Sequence, residues 1–261
     1  MHVVACQWDL AWEDKPANFE RVRMLLGQSP IAPGSVIVLP EMFATGFSMN
    51  VAAIAEEPLG ATATFLSALA SERSSYVIGG IVSRGTDGWG RNEALVVSPD
   101  GKPIARYHKL HPFSLGGESR HYAAGEGLTL FDFGPLRVAV FICYDLRFPE
   151  VFRLATRQGA QAFVVIANWP VAREHHWTTL LQARAIENQA YVIGVNRIGS
   201  DPHLAYGGRS LIIDPRGQVV SDGGNGEGTI EATLDLPALL EYRRQFPAIA
   251  DLRPEFLGQT R

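Results

Sequence analysis

"RVAVFICYDLRFPEVFRLATRQGAQAFVVIAN" (residues 137–168) contains the pattern that decides the fold. An apolar run at 137–143 is followed by an amphipathic segment at 149–158 and then by a second apolar run at 162–168. The amphipathic segment opens with Pro149, a residue that suits the first turn of a helix. The stretch therefore predicts a strand, a helix and a strand in succession, as is typical of an α/β protein.

The same alternation extends along the chain on both sides of this stretch. Apolar runs of strand length occur at 3–7, 36–40, 76–82, 93–99, 137–143, 162–168, 190–196, 209–215 and 229–235. Segments of helical character occur at 16–27, 61–73, 149–158, 173–189 and 237–245. No internal repeat, low-complexity tract or linker divides them. We therefore expect one α/β domain over residues 1–261, with helices covering β-sheet.

The composition excludes several classes of protein. Hydrophobic residues make up 46% of the chain and charged residues 19%, which is ordinary for a globular protein. The net charge of −4 and the absence of any Lys/Arg run argue against a nucleic-acid partner. No apolar stretch reaches the length of about 18 residues that a membrane span needs. The opening "MHVVACQWDL" lacks the basic region of a signal peptide, and we expect a first strand there.

The chain has two cysteines, Cys6 and Cys143, each within or beside an apolar run. Two cysteines are too few for a disulfide scaffold. We therefore expect free thiols and a reducing, cytoplasmic location.

Polar side chains at the ends of predicted strands are the candidates for chemistry, because ligands of α/β folds bind beyond the carboxyl ends of strands. Glu41 directly follows the run 36–40, and Cys143 ends the run 137–143. Lys109 ends the predicted hairpin 96–109. A carboxylate buried without a partner would cost several kcal/mol, so Glu41 should have a lysine or a thiol beside it.

These three residue types suit covalent catalysis. The thiolate of Cys143 would be the nucleophile, and Glu41 would accept its proton. Lys109 would stabilise the oxyanion of a tetrahedral intermediate, with the backbone N–H of Tyr144 as a second donor.

Three other readings remain open at this point. A papain-like hydrolase would need a histidine base, and it would leave Glu41 unexplained. A metallohydrolase would need grouped ligands, for which the histidines stand at positions 108, 111, 175 and 176, but no H-E-x-x-H pattern occurs. A binding module with a vestigial site is the non-enzymatic alternative.

Three segments, "LPEMFATGF" (39–47), "HKLHPF" (108–113) and "ICYDLRFPE" (142–150), resemble the signature segments of the nitrilase or carbon–nitrogen hydrolase superfamily. The resemblance implies a four-layer αββα sandwich and a catalytic triad of Glu41, Lys109 and Cys143. No metal and no cofactor is implied, because nucleophile, base and oxyanion donors are all protein groups. The superfamily also implies a homodimer or a larger homo-oligomer.

The superfamily often adds a second glutamate between the lysine and the cysteine. Glu118, nine residues after Lys109, is assigned by this resemblance as a carboxylate that positions substrate and holds the lysine. Glu126 is the rival, although its setting "AAGEG" predicts a turn. Asp145 and Arg147 are interpreted as polar residues that brace the turn after the nucleophile.

Further segments resemble the bacterial ω-amidase branch of the superfamily. They are "NWP" (168–170), "REHHW" (173–177), "LLQARAIENQAYVIGVNRIGSD" (180–201) and "EYRRQFPA" (241–248). The branch implies hydrolysis of small amides such as 2-oxoglutaramate and 2-oxosuccinamate. A general aliphatic amidase or a carbamoylase is the alternative within the superfamily.

An amide substrate with a distal carboxylate would need a cationic partner in the pocket. We expect Arg173 in that role, with Arg147 as its competitor and a solvated arginine at a helix start as the alternative. Aromatic walls are expected from Phe43, Phe113 and Trp169, which would exclude water.

Overall fold

The computed structural model describes residues 1–28 and 30–256 of the chain. The helices in this part are α1 (Lys15–Leu26), α2 (Val51–Ile54), α3 (Ala61–Arg73), α4 (Pro149–Arg157), α5 (Glu174–Asn188) and α6 (Leu236–Gln245). The strands of the first half are β1 (His2–Gln7), β2 (Val36–Val38), β3 (Tyr76–Arg84), β4 (Gly90–Val97), β5 (Pro103–His108), β6 (Leu130–Phe133) and β7 (Leu136–Ile142). Those of the second half are β8 (Ala162–Ala167), β9 (Tyr191–Asn196), β10 (Ile198–Ser200), β11 (Ala205–Gly207), β12 (Leu211–Ile213), β13 (Val219–Asp222) and β14 (Gly228–Thr233).

The strands form two six-stranded sheets and one small two-stranded sheet. The first sheet has the order β14-β1-β2-β3-β4-β5, and β1, β2 and β3 run parallel to one another. The second has the order β13-β12-β9-β8-β7-β6, with β7, β8 and β9 parallel. Strands β10 and β11 form the small antiparallel sheet.

Side chains of β1 show how the layers stack, because alternate residues of a strand point to opposite faces of its sheet. Val3 and Ala5 belong to the apolar cluster that also contains the second sheet. Val4 and Cys6 belong to a separate cluster that α1 and α3 complete. The first sheet therefore lies between those helices and the second sheet.

Helices α4 and α5 cover the other face of the second sheet. Phe152 of α4 packs on Phe141 of β7, with ring centroids 4.1 Å apart. At Gly194 of β9, an added Cβ would lie 2.4 Å from Leu181 of α5, so glycine permits this close approach. The result is the predicted four-layer αββα sandwich, which is confirmed.

Most predicted elements occur, with shifts of one or two residues at their ends. The helix 61–73 has the predicted bounds, and the helix predicted at 173–189 is Glu174–Asn188. The predicted strand 209–215 is only Leu211–Ile213. Elements that were not predicted are short, and they are α2, β6, β10, β11 and β13.

The topology brings the candidate residues to one end of the sandwich. Strands β7 and β8 are parallel neighbours with Ile142 paired to Ile166, so Cys143 and Asn168 follow adjacent strand ends. Glu41 follows β2 in the facing sheet, two residues after Leu39. Among the described residues, no helix combines the length and the apolar character that crossing a lipid bilayer requires.

Candidate active site

Cys143 occupies a sharp turn at the end of β7. The strand ends at Ile142, one residue earlier than expected, and a 3-10 helix begins at Cys143 and ends at Arg147. Cys143 has a φ of 47°, in the left-handed region that non-glycine residues rarely adopt. Its side chain is therefore projected out of the line of the strand.

The buried carboxylate of Asp145 holds this turn in place. Its Oδ2 accepts hydrogen bonds from the Ile142 N–H at 3.0 Å and the Tyr107 hydroxyl at 2.7 Å. Its Oδ1 accepts one from the His111 N–H at 2.9 Å and lies 2.8 Å from His111 Nδ1. These contacts agree with the interpretation of Asp145 as a brace, since they tie the turn to the segment that follows β5.

The turn that carries Glu41 approaches β3 very closely. Met42, its neighbour, also has a left-handed backbone, with φ of 45°. A Cβ on Gly80 would lie 2.4 Å from Met42 N and 2.5 Å from Glu41 Cα. Glycine is therefore required at position 80, and its N–H donates to Pro40 O at 3.1 Å.

Lys109 lies between two carboxylates. Its Nζ donates to Glu41 Oε1 at 2.9 Å and to Glu118 Oε2 at 2.8 Å. Asn92 joins the same two acids, since its Nδ2 lies 2.7 Å from Glu41 Oε1 and 2.7 Å from Glu118 Oε1. All four side chains are at most 1% exposed. The structure thus brings the two predicted glutamates and the predicted lysine together.

The charges in this cluster shift one another's protonation. Burial alone would lower the pKa of the Lys109 ammonium, but the charges of Glu118 and Glu41 outweigh it and hold the pKa well above its usual range. Burial raises the pKa of Glu118, and the ammonium offsets only part of that effect. Lys109 is therefore a permanent cation in a site that is poorly hydrated.

The thiol of Cys143 is protonated at rest. Burial and the charge of Glu41 raise its pKa well above the ordinary value, although Lys109 acts in the opposite direction. Its Sγ lies 3.9 Å from the carbonyl oxygen of Asn168. A neutral thiol is a poor nucleophile, so attack requires that its proton be removed as the reaction proceeds.

The thiol lies in the wall of a cavity of roughly 390 Å³, counting the part that is open to solvent. The lining residues are Phe47, Phe113, Cys143, Tyr144, Arg147, Asn168, Trp169, Pro170, Arg173 and Leu204.

Two guanidinium groups lie in this wall. Arg173 lies 5.6 Å from the ring centroid of Phe113, and Arg147 lies 4.8 Å from that of Trp169. Within the described residues neither forms an ion pair with a carboxylate. The side-chain hydrogen bond of Arg147 is to His176 Nδ1, at 3.2 Å. Arg147 thus lines the cavity as well as belonging to the turn after Cys143. The sequence favoured a role in the turn and treated a place in the cavity as the weaker alternative.

Phe43 does not line the cavity, and the expectation that it forms an aromatic wall is wrong. Its side chain is fully buried behind the site in the cluster under α1 and α3, with ring centroids 6.1 Å from Phe19 and 6.0 Å from Phe65. Phe47, four residues later, takes the place expected for it. The expected walls Phe113 and Trp169 do line the cavity.

Sequence reasoning missed Asn92, the amide that joins the two carboxylates. Its only signal is a polar side chain near the start of an otherwise apolar strand, "RNEALVV". The rival carboxylate Glu126 is exposed and outside the cluster.

The histidines considered for a metal site are engaged separately. His111 contacts Asp145, and His108 lies 3.1 Å from Glu93. Residues 1–28 and 30–256 contain no group of three or more His, Cys, Asp or Glu side chains arranged to hold a metal ion.

Comparisons with known proteins identify the family of the chain. The carbon-nitrogen hydrolase family profile matches residues 2–244. The omega-amidase YafV of Yersinia enterocolitica is 43% identical over 94% of this chain and 94% of its own. The 2-oxoglutaramate amidase of Bacillus subtilis is 33% identical over 97% and 98%. A crystal structure of a CN-hydrolase superfamily protein from Xanthomonas campestris, with an arsenic adduct in its active site, superposes with a TM-score of 0.88 at 34% identity, covering 97% of both chains.

Proposed function

The chain belongs to the carbon–nitrogen hydrolase family, and from this premise we propose that it is an ω-amidase. Its substrates are small 2-oxo dicarboxylic acid monoamides, 2-oxoglutaramate and 2-oxosuccinamate, and its products are the free acid and ammonia. The observation that carries the substrate class is the pair of guanidinium groups, unpaired with acids in the described chain, on the wall that contains Cys143. An apolar cavity with two such cations favours an anionic amide.

The reaction begins with attack of the Cys143 sulfur on the amide carbonyl carbon. Glu41 takes the thiol proton as the C–S bond forms, so that no free thiolate needs to accumulate. The negative charge that develops on the carbonyl oxygen is stabilised by the Lys109 ammonium and the Tyr144 N–H.

Collapse of this intermediate breaks the C–N bond and leaves a thioester on Cys143. The proton held by Glu41 passes to the departing nitrogen, which leaves as ammonia. Water then attacks the thioester with Glu41 again as base, and the thiol is restored as the acid departs. One water is consumed for each amide cleaved.

Glu118 keeps the ammonium of Lys109 in place during both steps. It accepts from Lys109 and also from the Phe113 N–H at 2.6 Å, which fixes a wall residue of the cavity. We assign Arg173 to the distal carboxylate of the substrate, with Phe113 and Trp169 excluding water from the ion pair. Arg147 is the second cation within the same cavity.

The proposal is tested by measuring ammonia release from a panel of amides. The panel contains 2-oxoglutaramate, 2-oxosuccinamate, a neutral aliphatic amide and a carbamoyl amine, and Cys143→Ala is the matched inactive variant. We expect the 2-oxo acids to have the highest kcat/KM and the variant to lose several orders of magnitude. A higher kcat/KM for the neutral amide or the carbamoyl amine would instead identify an aliphatic amidase or a carbamoylase. Turnover by Cys143→Ala above a few per cent would contradict the triad.

No metal or organic cofactor takes part in the proposed reaction. Activity should therefore survive dialysis against a chelator, and a loss that zinc restores would contradict this.

We also propose that residues 1–261 form one domain, that the protein is cytoplasmic, and that it is a two-fold homodimer or a larger assembly of such dimers. The segment 173–189 and the residues from Tyr242 to Phe246 are the proposed contacts. Phe246, 59% exposed, supports this choice. Light scattering at micromolar concentration tests it, and a monomer alone would contradict it.

A further inference from the structure

The carboxylate of Glu41 accepts as many hydrogen bonds as it has lone-pair sites. Its Oε1 accepts from Asn92 Nδ2 at 2.7 Å and from Lys109 Nζ at 2.9 Å. Its Oε2 accepts from the Asn168 N–H at 2.8 Å and from Asn168 Nδ2 at 3.3 Å. A carboxylate offers about four such sites, so none is left for an incoming proton. One of these donors must withdraw before Glu41 can act as a base.

The Asn168 amide is the donor most easily withdrawn. Its contact with Oε2 is the longest of the four, and its Nδ2 has a shorter bond, 2.7 Å, to the backbone oxygen of Glu41. Lys109 is bound by charge, and a charge-assisted hydrogen bond is roughly twice as strong as a neutral one. Asn168 can therefore give up Oε2 and remain attached to the turn that carries Glu41.

Asn168 is also next to the group that supplies the proton. Its backbone carbonyl oxygen is 3.9 Å from Cys143 Sγ, and its own N–H is bonded to Oε2. The same residue thus contacts the thiol and one particular oxygen of the base, whereas Oε1 is directed towards Lys109 and Asn92.

We propose that Glu41 Oε2 is the oxygen that accepts the Cys143 proton, and that the Asn168 side chain is a positioning residue that releases Oε2 as the proton arrives. This inference rests on the proposed function, in which Glu41 is the general base. It assigns proton transfer to Oε2 and the contacts with Lys109 and Asn92 to Oε1. When the proton moves on to the departing nitrogen, the amide restores its bond to Oε2, so the carboxylate returns to one orientation after each step.

The backbone of Trp169, the residue after Asn168, is held independently of the Asn168 side chain. Asn196 Oδ1 accepts from the Trp169 N–H at 2.7 Å, and Asn196 Nδ2 donates to Trp169 O at 3.0 Å and to Gly208 O at 2.8 Å. Substitution of the Asn168 side chain should therefore leave the peptide, the fold and the contact with Cys143 in place. This makes the residue suitable for a direct test.

Two substitutions of Asn168 should disturb the Glu41 carboxylate to different degrees. Asn168→Ala removes both amide hydrogen bonds, and a carboxylate that has lost donors is protonated more readily. Asn168→Asp has nearly the same shape but adds a negative charge beside Oε2, which opposes the charge of the carboxylate at that oxygen. The other charged or titratable groups that interact with Glu41 are the same in both variants, and they are Lys109, Glu118, Cys143, Tyr122 and Tyr206.

The experiment measures kcat, KM and the pH profile of kcat/KM for the full chain and for each variant, together with the alkylation rate of Cys143 by iodoacetamide against pH. For Asn168→Ala we expect kcat to fall by about 10- to 100-fold, with KM changed by less than about 2-fold. The acidic limb of the kcat/KM profile should move to higher pH, and further for Asn168→Asp than for Asn168→Ala. The alkylation rate, which reports the Cys143 thiolate, should rise at higher pH in Asn168→Asp, whose added charge opposes a second negative charge beside it. Asn196→Ala, which loosens the same loop without touching Glu41, should leave the acidic limb unmoved.

An unmoved acidic limb in both Asn168 variants would overturn the proposal, as would a KM effect as large as the kcat effect. Loss of the fold in both variants would also overturn it, because the side chain would then be structural. Failure of the proposed function is distinguishable: an enzyme that releases no ammonia from any amide still gives an alkylation profile, and that profile tests Asn168 on its own.

Discussion

Lys109 Nζ lies 2.8 Å from Oε2 and 3.2 Å from Oε1 of Glu118, so this one carboxylate contacts the ammonium with both of its oxygens. Both side chains are buried, and Glu41 completes a cluster of two acids and one base. The cluster thus contains two carboxylates and one ammonium. Removing the charge of Glu118 and removing the charge of Lys109 should therefore have different effects on the free energy of unfolding.

Glu118→Gln should cost little stability, about 1–2 kcal/mol, because Lys109 keeps Glu41 as its partner. Asn92 can turn its Oδ1, unpaired within the described chain, towards the new NH2 group. Lys109→Met should cost about 3–5 kcal/mol, because it leaves two buried carboxylates without a cation. Urea unfolding measures both, and ammonia release should be severely reduced in each. Equal destabilisation by the two variants would contradict this account.

Alkylation should distinguish the two thiols. Cys6 is fully buried, whereas Cys143 is partly exposed in the cavity wall, so iodoacetamide should modify Cys143 first. Because the pKa of Cys143 is raised, its rate should keep rising with pH beyond about 8.5, where an ordinary thiol begins to level off. Mass spectrometry of timed samples measures both rates. A plateau near pH 8.5, or faster modification of Cys6, would be the contrary result.

The stability of the protein should fall in alkaline solution because of Cys6. Burial raises the pKa of its thiol to about 12, so the folded state holds the proton more tightly than the unfolded state does. The stabilisation is complete below the unfolded pKa and is lost as the pH rises from about 9 to about 12, by about 1.4 kcal/mol per pH unit. Urea unfolding of the wild type and of Cys6→Ala at pH 8, 9 and 10 measures this slope. The variant should have the shallower slope, and parallel slopes would refute the assignment.

Asp145→Ala should destabilise the protein by about 3 kcal/mol, because its buried donors, among them the Tyr107 hydroxyl and the Ile142 N–H, lose their acceptor. Activity should fall as well, since the turn at Cys143 is no longer held. Asp132→Ala, at an exposed position on β6, is the control and should change the free energy of unfolding by less than about 0.5 kcal/mol. Thermal unfolding and ammonia release measure the two effects. A stable, fully active Asp145→Ala would remove this residue from the support of the site.

Arg173→Ala should weaken transition-state binding of 2-oxoglutaramate by about 1.5–3 kcal/mol, the range for a charge-assisted contact. A neutral amide of similar length should be hydrolysed almost as before. Arg147→Ala is the matched comparison, because its guanidinium lies on another ring of the same cavity. The values of kcat/KM for both amides decide the matter. The carboxylate site is not at Arg173 if Arg173→Ala lowers kcat/KM equally for both amides. The same conclusion follows if only Arg147→Ala lowers kcat/KM for 2-oxoglutaramate more than for the neutral amide.

Residues at strand ends could be located from the sequence. Glu41 and Cys143 lie at the ends of apolar runs, Lys109 lies at the end of a predicted hairpin, and the segments around all three resemble a family, so pattern and resemblance agreed on their positions. Asn92 could not be found in this way, because its part in the site depends on which strands pair and in what register. That information is not local to "RNEALVV".

The expectation that Phe43 lines the cavity failed for a related reason. Phe43 and Phe47 lie in one nine-residue segment, and which of them faces the cavity depends on the backbone path of the turn, which includes a left-handed residue at Met42. Short strands such as β10 and β13 were missed because so few residues carry no clear periodicity.

The left-handed backbone of Cys143 links reactivity to the energy of the fold. A non-glycine residue in this conformation costs roughly 1–2 kcal/mol, which the rest of the molecule must supply. Glycine adopts the same turn without that cost, but it would remove the sulfur together with the packing of Cys143 against the core. The rest of the fold thus carries a local strain that serves to hold a sulfur atom at the cavity wall.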